Sequence, residues 1–310
     1  MNQIHIKTPL FQSLPLGRRV SGHVWLKMEA LQPCASFKAR GIGFACRHHA
    51  EQGRKRFVTS SGGNAGLAVA YSGRQLGLAV TVVVPKSTPE RARRLIRDES
   101  ARVVVEGQSW QEAHQYAQGL ADEGAVYIHP FDDPLVWRGH ASLMEEVVTA
   151  GLKPDAVVLS VGGGGLLCGI AEGLSNAGLT HTAIVTAETA GAESFYAAVQ
   201  AGRLVTLPKI RSIATTLGAK QVTAQALEVS RQFKVVPNIV TDAEAVEACL
   251  MFADDHRVIV EPACGASLAL LYKNSEVLKG FENILVIVCG GVAVSYRELI
   301  ELRETLVTRN

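Results

Sequence analysis

Residues 156–171 read AVVLSVGGGGLLCGIA, an unbroken apolar run that passes through four consecutive glycines, Gly162 to Gly165, into the start of a helical pattern. A continuous apolar run predicts a strand buried on both faces, as in a parallel sheet whose crossovers are helices. Glycine reaches positive φ and lets an oxygen-rich group approach main-chain N–H groups with no Cβ in the way. Several donors can then converge on one anion at the helix N-terminus. The plainer account is a tight strand-to-helix turn, yet each glycine costs backbone entropy and such a turn needs only one or two. The run is neither G-x-G-x-x-G nor G-x-x-x-x-G-K-[ST], which counts against dinucleotides and nucleoside triphosphates as ligands.

The strand-to-helix alternation recurs along the chain. Strand patterns fall at residues 24–28, 57–59, 79–84, 102–105, 125–128, 156–160, 183–187 and 284–288. Helical patterns fall at 39–51, 64–76, 89–98, 110–122, 134–149, 243–256 and 264–272. This predicts an α/β fold of open, mostly parallel twisted sheets covered by helices, with ligands outside the carboxyl ends of the strands. A length of 310 residues, 47% hydrophobic and 19% charged, allows two lobes with separate cores. The lobes are expected to interleave, a large one from residues 1–31 and 137–310 and a small mobile one from 32–136 that closes to exclude water.

Charge and cysteine usage narrow the function classes. Lys and Arg number 31 against 29 acidic residues, a net +2 too balanced for a nucleic-acid surface. The N-terminal stretch is mixed and broken by Pro9 and Pro15, and no apolar run reaches membrane-spanning length, so a cytoplasmic enzyme is expected. The cysteines at 34, 46, 168, 249, 264 and 289 contain no C-x-x-C pair, which argues against zinc and disulfides and for a reducing compartment. Arg91 to Arg97 reads as a solvated helix face, and His48-His49 and Arg54-Lys55-Arg56 as a polar helix end and loop. His129 and His140 lack partners at metal-ligand spacing and read as satisfied structural histidines.

Two more strand ends carry glycines. Ser60-Ser61-Gly62-Gly63-Asn64-Ala65-Gly66 follows the 57–59 strand and brings two hydroxyls, an amide and a helix N-terminus together, which suits a carboxylate. Taken alone, the turn reads equally well as an ordinary N-cap. Cys289-Gly290-Gly291 follows the 284–288 strand, and three such ends suggest one shared ligand. Lys38 stands at a loop-to-helix junction in Pro33-Cys34-Ala35-Ser36-Phe37-Lys38-Ala39-Arg40-Gly41. Most lysines are exposed and solvated. Here a Ser N-cap and the neighbouring Phe would aim the amine at the strand ends. There, desolvation would lower its pKa below about 10.4 and favour a Schiff base with an aldehyde. A lysine and a phosphate cradle together point to pyridoxal phosphate.

Six stretches occur in order: Ser36-Phe37-Lys38-Ala39-Arg40-Gly41, Ser60-Ser61-Gly62-Gly63-Asn64-Ala65-Gly66, Pro130-Phe131-Asp132-Asp133-Pro134, Ser160-Val161-Gly162-Gly163-Gly164-Gly165-Leu166, Val260-Glu261-Pro262-Ala263-Cys264-Gly265 and Val288-Cys289-Gly290-Gly291. In that combination the chain resembles, over nearly its whole length, the serine/threonine dehydratases of the tryptophan-synthase-β-like group of pyridoxal-phosphate enzymes. Nothing after residue 310 supplies the regulatory domain of biosynthetic threonine deaminases, so feedback control through an attached domain is not expected.

The resemblance implies that Lys38 carries the cofactor, with Phe37 beside it, and acts as base at the substrate Cα. It implies that Gly162, Gly163, Gly164, Gly165 and Leu166 hold the phosphate and that Asn64 bonds the cofactor's phenolic oxygen. Ser61, Gly62, Gly63 and Asn64 would receive the substrate carboxylate. Cys289 matches the residue facing the pyridine nitrogen; a thiol, with an ordinary pKa of about 8.5, is a weak donor and leaves the ring a weaker electron sink. That suits a β-hydroxy amino acid, whose leaving group departs soon after Cα deprotonation, helped by a proton from the cofactor phosphate. Serine would give pyruvate and ammonia, and threonine 2-oxobutyrate and ammonia.

A homodimer and a monovalent cation site for potassium are also implied, the latter built from Gly162, Glu188, Ala192, Ser194, Leu217 and Ala219. A solvated glutamate at a strand end is the simpler account of Glu188. One departure stands out, since many active dehydratases have Ser-Ala-Gly-Asn where this chain has Ser61-Gly62-Gly63-Asn64. Losing the methyl is expected to loosen the turn, widen the pocket and give a slower, more tolerant enzyme. A β-replacement synthase or racemase on the same scaffold would yield a thioether or D-serine instead of a 2-oxo acid. A non-catalytic amino-acid or vitamin-binding protein is opposed by the intact Lys38.

Overall fold

The computed structural model describes residues 3–122 and 124–308. Among them lie ten strands: β1 Leu10–Gln12, β2 His23–Lys27, β3 Arg56–Thr59, β4 Ala79–Val84, β5 Arg102–Val105, β6 Val126–Tyr127, β7 Ala156–Ser160, β8 Ala183–Thr189, β9 Val235–Val240 and β10 Asn283–Ile287. The helices are α1 Leu14–Val20, α2 Lys38–Glu51, α3 Asn64–Leu76, α4 Glu90–Asp98, α5 Trp110–Asp122, α6 Pro134–Thr149, α7 Gly165–Asn176, α8 Ser194–Ala201, α9 Ala224–Gln232, α10 Asp242–His256, α11 Pro262–Tyr272 and α12 Tyr296–Val307.

The strands form two sheets, one six-stranded in the order β1-β2-β10-β7-β8-β9 and one four-stranded in the order β5-β4-β3-β6. All neighbours pair parallel except β1 with β2. β7 and β8 are buried at every position, as continuous apolar runs require when helices cover both faces. The larger sheet carries a core that includes Leu26, Val158, Val185, Leu268 and Ile287; the smaller carries a separate one with Ile42, Phe57, Val69 and Val82. β10 and β7 are neighbours, so the glycine turns that follow them lie side by side.

An ion network joins α2 to the larger sheet. Arg40 is fully buried; it spans Glu29 at 2.7 and 2.8 Å and Glu146 at 2.8 and 2.9 Å, with Lys27 also on Glu146. Buried ions are tolerable only when their donors are satisfied, which holds the guanidinium, and with it the start of α2, in one place. The first residue of that helix is Lys38.

Candidate active site

Lys38 projects from the first position of α2, but not for the local reason that the sequence suggests. The N-cap is Phe37, and Ser36 makes no capping bond; its hydroxyl is buried without a partner. The backbone here is tied instead to the end of β10: Ser36 bridges Gly290, Phe37 N donates to Cys289 O at 3.2 Å, and Gly291 N to Ala35 O at 2.7 Å. Lys38 Nζ donates to Pro130 O at 2.6 Å and lies 5.0 Å from the Phe37 ring centroid. Burial pushes its amine down to about 8, so a neutral amine is accessible near neutral pH.

The glycine turn after β7 meets both of its sequence readings at once. Gly164 has φ +95° and is the N-cap of α7 with no side-chain cap, which leaves the first-turn N–H groups available to an anion. The packing is also tight, since a Cβ on Gly163 would lie 2.3 Å from the Phe131 ring and one on Gly165 2.8 Å from Phe131 O. Gly162 faces Leu217, whose Cα would be 3.1 Å from an added Cβ.

In the turn after β3, Gly63 is the N-cap of α3 without a side-chain cap, so the ordinary N-cap reading does not hold. Gly63 N donates to Ser61 Oγ at 3.3 Å. Asn64 turns away from the helix end: Nδ2 donates to Glu261 Oε1 at 2.8 Å, and Oδ1 accepts from Val292 N at 3.1 Å. Glu261 also accepts from the Thr216 hydroxyl and from Ala293 N, while burial pushes its carboxyl up. Cys289 is buried, and a hydrogen bond with Cys264, then burial, push its thiol well up and keep it protonated.

The space lost at Gly62 is not vacant. A methyl there would meet Thr88 Cγ2 at 2.7 Å and Val84 Cγ1 at 3.3 Å, so Thr88 fills the volume expected to widen the pocket. Other expectations change as well. Glu188 is not solvated: it lies inside β8, fully buried, and its two oxygens accept from Phe195 N at 2.8 Å and Tyr196 N at 2.7 Å. Burial pushes it up to about 8, and the nearby Ser194 hydroxyl is buried without a partner. Arg91 is half-buried and donates to Val292 O, while Arg94 and Arg97 of the same helix are exposed. His129 is satisfied, its Nδ1 accepting from Phe131 N and Asp132 N, whereas His140 accepts from Gly41 N but leaves Nε2 buried and unpartnered.

The structure therefore brings Lys38, Cys289, Asn64 and the glycine turns to one set of strand ends, and groups Glu188 with Ser194. It adds Glu261, Thr216, Phe131 and the Pro130 carbonyl, to which the sequence reading gave no role. Glu261 and Phe131 stand inside the quoted motifs, where a carboxylate in an apolar stretch was the available signal.

The profile of the pyridoxal-phosphate dependent enzyme family matches residues 1–290. This chain belongs to that family. Among curated relatives, "L-serine dehydratase/L-threonine deaminase" of Homo sapiens is 46% identical, over 99% of this chain and 97% of its own. "Serine dehydratase-like" of Mus musculus is 47% identical over 96% and 94%. The solved structure of a fungal L-serine ammonia-lyase from Rhizomucor miehei superposes with a TM-score of 0.92 at 37% identity, covering 98% of this chain and 99% of that one. The residues present fit pyridoxal phosphate: burial brings the Lys38 amine down to about 8, and the glycine turn after β7 leaves the first-turn N–H groups of α7 without a side-chain cap.

Proposed function

We propose that this chain converts L-serine to pyruvate and ammonia and L-threonine to 2-oxobutyrate and ammonia. The observation that carries the reading is the convergence of a low-pKa Lys38 amine, an uncapped Gly162 to Gly165 turn and a protonated Cys289 thiol at adjoining strand ends. The near-full-length likeness to relatives named for these reactions supports it.

Lys38 would hold the cofactor through its amine, with Gly162, Gly163, Gly164, Gly165 and Leu166 on the phosphate, Phe37 and Asn64 beside the ring, and Cys289 near its nitrogen. When bound, pyridoxal phosphate supplies the electron sink that makes the substrate α-proton removable. Lys38, once its amine is free, would take that proton, because burial lowers the amine to about 8 and so makes a neutral, basic form accessible near neutral pH. Ser61, Gly62, Gly63 and Asn64 would orient the substrate carboxylate, and the thiol of Cys289, a weak donor, would give the ring nitrogen no full positive charge.

Several finer assignments belong to the same reading. A cation such as potassium would sit by Gly162, Glu188, Ala192, Ser194, Leu217 and Ala219; support comes from the buried Glu188 and the unpartnered Ser194 hydroxyl. Equal activity in potassium, sodium and bulky-cation buffers removes that site. The lobes are residues 1–31 with 137–310 and 32–136, in keeping with the two sheets. Six free, buried cysteines are consistent with a reducing cytoplasm, and the exposed Phe11 and Leu14 with a homodimer, which sedimentation measures. Among the described residues no helix is long and apolar enough to cross a membrane.

The deciding experiment adds serine to purified protein carrying its visible cofactor band and assays pyruvate, ammonia and D-serine. Pyruvate and ammonia in equal amounts support elimination; D-serine without 2-oxo acid replaces it with racemisation.

A further inference from the structure

The ends of β3 and β6 carry a polar cluster that the roles above leave unused. Ser60 is fully buried, its hydroxyl 2.8 Å from Tyr127 Oη and 3.3 Å from His114 Nδ1, which are themselves 2.8 Å apart. Trp110 covers the imidazole, its ring stacked on His114 with centroids 4.9 Å apart and planes at 12°. The cluster adjoins the turn that begins at Ser61, and the same strand end supplies Pro130, the acceptor for Lys38 Nζ.

Hydrogen-bond direction in this triangle depends on one proton. With His114 Nδ1 unprotonated, Tyr127 donates to it and accepts from Ser60, which uses both short contacts. A proton on Nδ1 makes it a donor, so Tyr127 can no longer give its hydrogen there and the hydroxyls must turn. The Ser60 hydrogen is then displaced from Tyr127, at the residue next to the turn. The groups facing His114 are few. Burial pushes Tyr127 up to about 12 and His129, 6.4 Å away ring to ring, down to about 4. β4 presents only Ala, Val and Thr side chains; Arg56 stands at the far end of β3; Glu112, on α5 itself, is engaged by Ser109 and Gln108 N. Burial holds His114 below its usual 6.5, with no charged neighbour pressing on it.

We propose that His114 and Tyr127 are positioning residues which, through Ser60, hold the 61–64 turn in the orientation that receives a substrate carboxylate, and that protonating His114 weakens this hold. The proposal rests on the turn being the carboxylate site, as read under the proposed function.

The test uses holoenzyme and L-alanine, which has the carboxylate but no β-hydroxyl, with binding followed by the visible band and serine kinetics measured in parallel. His114→Leu and Tyr127→Phe should each weaken L-alanine binding and raise KM for serine roughly tenfold, with kcat within about twofold. His114→Asn, whose oxygen can stand in for Nδ1 as acceptor, should restore affinity at neutral pH. It should also abolish the loss of affinity that the natural chain shows on acidification, a loss whose midpoint should match the His114 imidazole titration followed by NMR. Should Tyr127→Phe not fold, the His114 pair carries the test alone. Ser61→Ala separates the two ideas. Unchanged affinity in Ser61→Ala removes the turn as carboxylate site and the proposal with it. Weakened binding in Ser61→Ala beside unchanged binding in His114→Leu, or an acid loss that survives in His114→Asn, overturns the positioning role alone.

Discussion

Asn64 Nδ2 and Glu261 Oε1 lie 2.8 Å apart, joining the first residue of α3 to the N-cap of α11. The carboxylate is buried and takes hydrogen bonds from Asn64, Thr216 and Ala293, with the Arg91 guanidinium adding a weaker attraction. Removing one leaves a buried acceptor short, a loss of about 1–3 kcal/mol. Asn64→Ala should therefore lower Tm in calorimetry even in cofactor-free protein. An unchanged Tm would mean that the bond adds nothing to the fold and that Asn64 is free to serve the cofactor alone.

Gly163 meets Phe131 more closely than any side chain allows, with an added Cβ 2.3 Å from the ring. Gly163→Ala must push Phe131 aside or deform the turn, and overpacking of this kind costs about 1–3 kcal/mol. Affinity for pyridoxal phosphate, titrated by absorbance, should fall at least about tenfold. Adding Phe131→Ala should recover part of it, because the obstruction goes. If Gly163→Ala binds the cofactor as the natural chain does, the turn is not its phosphate site.

What the sequence reveals here follows from which interactions are local. β7 and the glycines after it are legible because burial on both faces leaves an uninterrupted apolar run with an abrupt stop. β9 escapes because Pro237 breaks the strand pattern, and only its place at the sheet edge tolerates a residue without an N–H. α12 had a readable start in the capping box of Ser295 and Glu298, a signal the helical patterns passed over. Ser36 misleads because pairing of the backbone with Gly290 outweighs the local preference of serine for a cap. Glu261 and Arg91 take their roles from partners about two hundred residues away, Asn64 and Val292, and no local pattern encodes such contacts.

The Lys38 amine should set the pH at which cofactor-free protein takes up pyridoxal phosphate. Only the neutral amine attacks an aldehyde, and burial lowers this one from 10.5 to about 8. The rate of band formation should rise with pH and level off above about 8, while Lys38→Ala forms no band stable to borohydride and gel filtration. A rate that keeps climbing towards 10.5 would show that the amine is solvated in the cofactor-free chain.

Gly62 and Thr88 make the last case, because the volume beside the turn is already taken. A methyl on Gly62 would lie 2.7 Å from Thr88 Cγ2 and 3.0 Å from its Oγ1, so Gly62→Ala alone must rotate or displace Thr88. The expected result is a loss of about 1–2 kcal/mol in stability and no gain in turnover with serine. Thr88→Ser removes the offending methyl, and the double variant should regain the lost stability because alanine then fills the space that Cγ2 vacates. Turnover in the double variant separates two causes. A rise over the natural chain means that a methyl on the turn itself helps to place the carboxylate, whereas no change means that filling the space is enough, whichever residue fills it. Gly62→Ala folding with unchanged Tm and higher kcat would show that Thr88 yields freely, and would return the slower-enzyme expectation to the glycine alone.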